Sequence, residues 1–183
     1  MIYWMAAIFS LYLSFTLTFT ECGECGEPAN PKVPLAALPG AKTYVYKTVD
    51  GMPLQLHVFF PEPNDLTQKR ATIVFFFGGG WTGGSPRQFL SHAKLLAERG
   101  MVAICAEYRI KTRHGTDPFV CPEDGKSAVR WIRTHAQELG IDPQRLAAGG
   151  GSAGGHVAAS TALLPDFESA GEDLTISSKA VEA

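Results

Sequence analysis

The chain has 183 residues, 45% hydrophobic and 19% charged, with a net charge of −2. That composition suits one globular domain and excludes a disordered chain. Its 4 cysteines are too few for a disulfide scaffold, and 16 basic against 18 acidic residues leave no electrostatic footprint for nucleic acid.

From Met1 to Thr20 no side chain is charged, and Ile, Leu, Phe, Tyr, Ala, Ser and Thr dominate. The run reads as a signal peptide over residues 1–21, implying a secreted or periplasmic protein; a retained membrane anchor or a misassigned start are the alternatives. Against a signal peptide, no Lys or Arg precedes Lys32. Residues 22–40 read as a Pro/Gly linker, and 41–183 as the domain. Cys22 and Cys25 form a C-x-x-C, but no second pair or His pair follows at zinc spacing, so they read as leader cysteines and no metal site is expected. Cys105 falls in an apolar run and reads as a small buried hydrophobe. Cys121 reads as a loop residue, its pairing open.

Thr43–Thr48 and Leu54–Phe60 are β-rich runs around Asp50-Gly51, a hairpin signal. A polar loop over 61–70 leads to the unbroken apolar run Ala71–Phe77, expected of a strand buried on both faces. Then comes the glycine loop GGGWTGG. Ser85-Pro86-Arg87-Gln88 has the form of a capping box with Pro at the first helical position, and Gly100 stops that helix. Met101–Ala106 is the next strand, Glu123–Leu139 a second helix, Arg145–Gly149 a strand and Gly154–Leu164 a third helix. Strand and helix alternate, which predicts an α/β fold: a mostly parallel sheet with helices on both faces. In such sheets chemistry gathers at the carboxyl ends of the strands, where both glycine clusters fall.

The second cluster contains Gly150-Gly151-Ser152-Ala153-Gly154, a G-x-S-x-G between a predicted strand and a predicted helix. A serine in so sharp a turn exposes its Oγ above the sheet, and its neighbours must be tiny for strand and helix to approach. The helix N-terminus favours developing negative charge, and the Ala153 N–H can point at an oxyanion. In the first cluster, Gly78-Gly79-Gly80, successive glycines let N–H groups approach a substrate oxygen, the other half of an oxyanion hole.

Together FFFGGGWTGG and GGGSAGGH resemble the α/β-hydrolases of the hormone-sensitive-lipase and carboxylesterase type, including bacterial acetyl-, feruloyl- and xylan-esterase-like members. Glu107-Tyr108-Arg109, where that family often has D-Y-R, and Pro122-Glu123-Asp124 with Ala128 and Trp131 extend the resemblance over about Thr43 to Leu164. The resemblance implies Ser152 as nucleophile, Gly79, Gly80 and Ala153 as oxyanion-hole donors, a small ester as substrate and no cofactor. It departs at Phe77, where His is usual, so support of the loop is expected to differ. Gly151 stands where Asp or Glu is usual, without harm to the elbow. Trp81 either lines an acyl pocket or packs.

A serine hydroxyl needs a general base and a group that orients it. In this fold both follow the serine. Of His57, His92, His114, His135 and His156, only His156 does, four residues on, and it reads as a helix-face residue. Asp166 and Asp173 lie too close to the elbow. The expectation is an amino-terminal piece lacking the carboxyl-terminal strands, the acid and the histidine, with negligible ester hydrolysis of its own.

Two rivals stay open. Gly78-x-Gly80-x-x-Gly83 and Gly149-x-Gly151-x-x-Gly154 also match a dinucleotide-binding fingerprint, with Glu107 placed as a ribose-binding acid. A non-catalytic binding protein keeping the oxyanion loops is the other. Arg109, Lys111, Arg113 and His114 read as a solvated basic loop.

Overall fold

The computed structural model describes residues 34–180. The expected leader, the Cys22–Cys25 pair, most of the linker and residues 181–183 lie outside them. Among the described residues no helix is long and apolar enough to cross a membrane.

Strands β1 (Lys42–Val49) and β2 (Met52–Phe59) form the antiparallel hairpin. Asp50 and Gly51 turn it with φ of 51° and 76°, the pair of positive values that a two-residue turn of matching twist requires. With β3 (Arg70–Phe76), β4 (Val102–Ala106) and β5 (Ile141–Gly150) they make one mixed sheet in the order β1-β2-β4-β3-β5. β2 runs antiparallel to β4, whereas β4-β3-β5 is parallel throughout.

Helix α1 (Leu90–Glu98), entered through a 3₁₀ turn at Pro86–Phe89, covers one face. Helices α3 (Val120–Thr134) and α4 (Ala153–Leu163) cover the other, and α2 (Lys111–His114) is a single turn at the sheet's carboxyl edge. Every β4 side chain is buried, as an unbroken apolar run in a doubly covered strand must be. Ile104 and Ala106 join Leu54, Leu56, Val58, Phe76, Ile132 and Val157 in the larger core. Ala103 and Cys105 join Leu38, Phe59, Ala93 and Ala97 beneath α1.

Several expectations need correction. α3 starts before Glu123 and ends before Leu139, residues 135–140 being turns that close at Gly140 with φ 64°. Pro122 sits in the helix's first turn, where its missing N–H costs nothing. Cys121 is therefore buried in that turn and free, with its thiol on the Arg109 carbonyl at 3.2 Å. The capping box does not form: Ser85 makes no side-chain cap, and Gln88 Oε1 accepts the Gly78 N–H at 2.6 Å instead.

The solvated basic loop is also wrong for two of its members, since Arg109 and Arg113 are each 9% exposed. Arg109 is inside because Asp124 meets it. The fully buried Asp124 carboxylate accepts from Arg109 N (3.0 Å), Nε and Nη2 (both 2.8 Å) and from Lys47 Nζ (2.7 Å). Pairing and hydrogen bonding are what make such burial tolerable.

Candidate active site

Phe76 and Gly150 end β3 and β5 and are partners in the parallel register, so the glycine loop and the serine turn leave the same sheet edge side by side. Ser152 lies between β5 and α4 with φ 51° and ψ −117°, a conformation a residue bearing a side chain adopts only under strain. Its side chain is exposed. The turn closes by the Gly154 N–H on Gly151 O (2.9 Å) and the His156 N–H on Ser152 O (3.1 Å). A Cβ on Gly154 would collide with the carbonyl oxygens of Phe76 and Phe77, so only glycine lets α4 start against the end of β3. Ala153 is the first residue of α4 and 2% exposed; at that position its N–H has no partner within the helix.

The glycine loop is bent by Gly79, Gly80 and Trp81, with φ of 140°, 60° and 58°. The Gly79 carbonyl is turned inward to accept from Thr82 N (3.1 Å) and Gly83 N (3.0 Å). Among the described residues, the Gly79 and Gly80 N–H groups donate to no other backbone or side-chain group. α2 clips the loop from outside: Lys111 N donates to Trp81 O (3.0 Å), while Thr112 N and Oγ1 donate to Thr82 O (3.0 and 2.6 Å). His114 Nδ1 accepts the Ile110 N–H at 3.0 Å, closing that turn, and burial pushes its pKa below the ordinary 6.5.

Trp81 stands edge-on to His156, ring centroids 5.6 Å apart at 87°. Together with Pro118, Phe119, Pro122 and Phe167 they line an apolar hollow of about 250 Å³ one helical turn from Ser152. Among the described residues Ser152 Oγ has no hydrogen bond, and the histidines are engaged elsewhere. His57 is buried 3.7 Å from Glu107, His92 packs on Phe89, and His135 stacks on Trp131 at 3.8 Å. Glu107 faces inward at 3% exposure and accepts the Gln55 N–H, which removes it from the ribose-binding role.

The model of the BD-FAE family matches residues 56–182, more than half of the chain. The chain belongs to the BD-FAE family. The apo form of Thermogutta terrifontis esterase 2 superposes with a TM-score of 0.77 at 51% identity, over 79% of this chain and 54% of that one. The Probable carboxylic ester hydrolase LipM of Mycobacterium tuberculosis is 36% identical over 106 residues, 56% of this chain and 23% of that protein. Carboxylesterase NlhH of the same species is 33% identical over 94 residues, 50% of this chain and 28% of that protein. The chain thus spans about a quarter of these curated relatives and about half of the solved esterase. Membership in BD-FAE and likeness to esterases establish the α/β-hydrolase fold of the esterase type and leave the dinucleotide reading without support.

Sequence reasoning brought Ser152, Ala153, Gly79, Gly80 and Trp81 to one edge. It gave Gln88 to a helix cap rather than to the Gly78 N–H, and it did not find the α2 clip. The only forewarning was Phe77 in a place where a supporting histidine was expected.

Proposed function

We propose that Ser152 is the nucleophile of a carboxylic-ester hydrolase that transfers an acyl group to water. The observation that carries this reading is the strained, exposed Ser152 at the start of α4, beside a glycine loop with two undonated N–H groups. Oγ attacks the ester carbonyl carbon, its proton leaves to a general base, and the carbonyl oxygen takes the negative charge. Gly79, Gly80 and Ala153 N–H groups receive that charge, assisted by the α4 N-terminus. The alcohol departs with a proton, and water repeats the attack on the acyl-serine. Trp81 and the hollow it lines accept an apolar part of the ester.

No base meets Ser152 among the described residues, so these 183 residues alone are expected to hydrolyse p-nitrophenyl acetate poorly. Enzymes stripped of triad members keep roughly 10³–10⁴-fold over water, about a millionth of the intact rate. Robust turnover lost in Ser152→Ala would overturn the inactivity.

The nucleophile itself is tested by prolonged incubation with diethyl p-nitrophenyl phosphate. The Oγ–P bond forms as p-nitrophenolate leaves and the hydroxyl proton passes to buffer. Peptide mapping is expected to place the adduct on Ser152, slowly. An adduct confined to other residues would refute the assignment.

A further inference from the structure

Both polar atoms of one peptide group, that joining Phe77 to Gly78, are tied by side chains from different elements. The Phe77 carbonyl accepts the Tyr108 hydroxyl at 2.6 Å, and the Phe77 ring stacks on Tyr108 with centroids 4.3 Å apart. The Gly78 N–H donates to Gln88 Oε1, also at 2.6 Å. This peptide is the root from which the loop carrying the Gly79 and Gly80 N–H groups swings. Gly78 also lies against the serine turn, where a Cβ added to it would come within 2.7 Å of Gly151 O. A rotation of the Phe77–Gly78 peptide would therefore move the two N–H groups relative to Ser152.

Resting on the acyl-transfer reading above, we infer that Gln88 is a positioning residue for the oxyanion hole. It takes over the anchoring of the glycine loop in a chain that has Phe77 at the loop's entrance. Gln88 is suited to this and is not needed for the core: its side chain is exposed on the 3₁₀ turn ahead of α1. An amide oxygen holding one N–H fixes the peptide plane at one end, and Tyr108 fixes it at the other. Preorganised donors are effective because they need no reorientation as charge develops. Losing one anchor leaves Gly79 and Gly80 able to donate but no longer held on target.

The test uses the full chain and phenylboronic acid. Ser152 Oγ adds to trigonal boron, an O–B bond forms, the hydroxyl proton goes to buffer, and the tetrahedral boronate places an oxygen among the donors. Affinity is read by ¹¹B NMR, and exchange of the Gly78, Gly79 and Gly80 amides by ¹⁵N NMR. Gln88→Leu, which removes the acceptor, is expected to weaken boronate binding about tenfold, the scale of one hydrogen bond, and to speed exchange of the Gly78 amide. Gln88→Glu, which keeps a side-chain oxygen, is expected to restore both within about threefold. Wild-type affinity in Gln88→Leu, or no rescue in Gln88→Glu, overturns the positioning role while the Ser152 reading stands. Ser152→Ala separates the two: if it binds boronate as the wild type does, or if the wild type binds none, the acyl-transfer reading fails and this inference fails with it.

Discussion

Gly154 and Ser152 divide the conformational demands of the elbow between them. Ser152 accepts a left-handed φ of 51°, while Gly154 supplies the missing Cβ that lets α4 meet the carbonyls of Phe76 and Phe77. Gly154→Ala cannot be absorbed by a side-chain rotation, because the atoms it meets are backbone. It is expected to destabilise the fold by about 3 kcal/mol or more, read as a lower urea midpoint; an unchanged midpoint would mean that α4 can slide away from β3. Asp124 is the opposite case, a residue whose importance lies in what it receives. Asp124→Ala leaves Lys47 and Arg109 near the interior without the carboxylate they share, Lys47 keeping only hydroxyl acceptors, and breaking such a buried pair costs about 3–5 kcal/mol, read as a lower urea midpoint. The elbow could be read in the sequence because close backbone approach excludes side chains, leaving glycine as its own written record. Asp124 entered the sequence reading only as part of the family-like Pro122-Glu123-Asp124 run, and its pairing left no record, because its partners at 47 and 109 are brought to it by the sheet.

At the scale of elements, the strands and the hairpin followed from apolar runs and Asp-Gly chemistry, whereas α2 was invisible. A four-residue turn has no periodicity to detect, and its role depends on hydrogen bonds to Trp81 and Thr82 across the loop. That turn carries a pH dependence. Burial lowers the His114 pKa and outweighs the backbone hydrogen bond at Ile110 that raises it, and in the neutral ring Nδ1 can accept the Ile110 N–H. The folded state thus favours neutral His114, so the unfolded chain binds the extra proton first as pH falls below 6.5. Stability from this group is complete above that value and is lost as pH falls toward the lower folded pKa. His114→Asn retains an acceptor but does not titrate. Its urea midpoint is expected to change less between pH 5 and 7 than that of the wild type. Equal slopes in the two proteins would assign the dependence to other groups.

Across the whole molecule, the irregular stretch after α4 is bound back onto α3 by three cations that sequence patterning would leave in solvent. Lys126 donates to Leu164 O (2.6 Å), to Asp166 O and to Glu168 Oε1 (2.8 Å). Arg130 Nη1 reaches Glu168 Oε2 at 2.6 Å and its Nε reaches Ile176 O at 3.0 Å, while Arg133 Nη1 reaches Ser177 O at 2.7 Å. Among the described residues Glu168 is the anion shared by two of these cations. Burial works against its charged form, yet the hydrogen bonds from Arg130 and Lys126 prevail and hold its pKa below the ordinary 4.5. A depressed carboxylate contributes stability above its unfolded pKa and loses it as pH falls through the folded one. Protonation would remove the charge that two nearly buried cations share, leaving Lys126 its carbonyl acceptors and Arg130 the Ile176 carbonyl, so the stretch should loosen before β4. Hydrogen exchange over residues 164–180, corrected for the intrinsic pH dependence, is therefore expected to lose protection between pH 5 and pH 3 while β4 keeps its own. Glu168→Gln should show the loosened pattern already at pH 6, with little further change on acidification. If the stretch and β4 lose protection together in the wild type, the segment is a cooperative part of the core, and Glu168 is not the group that ties it down.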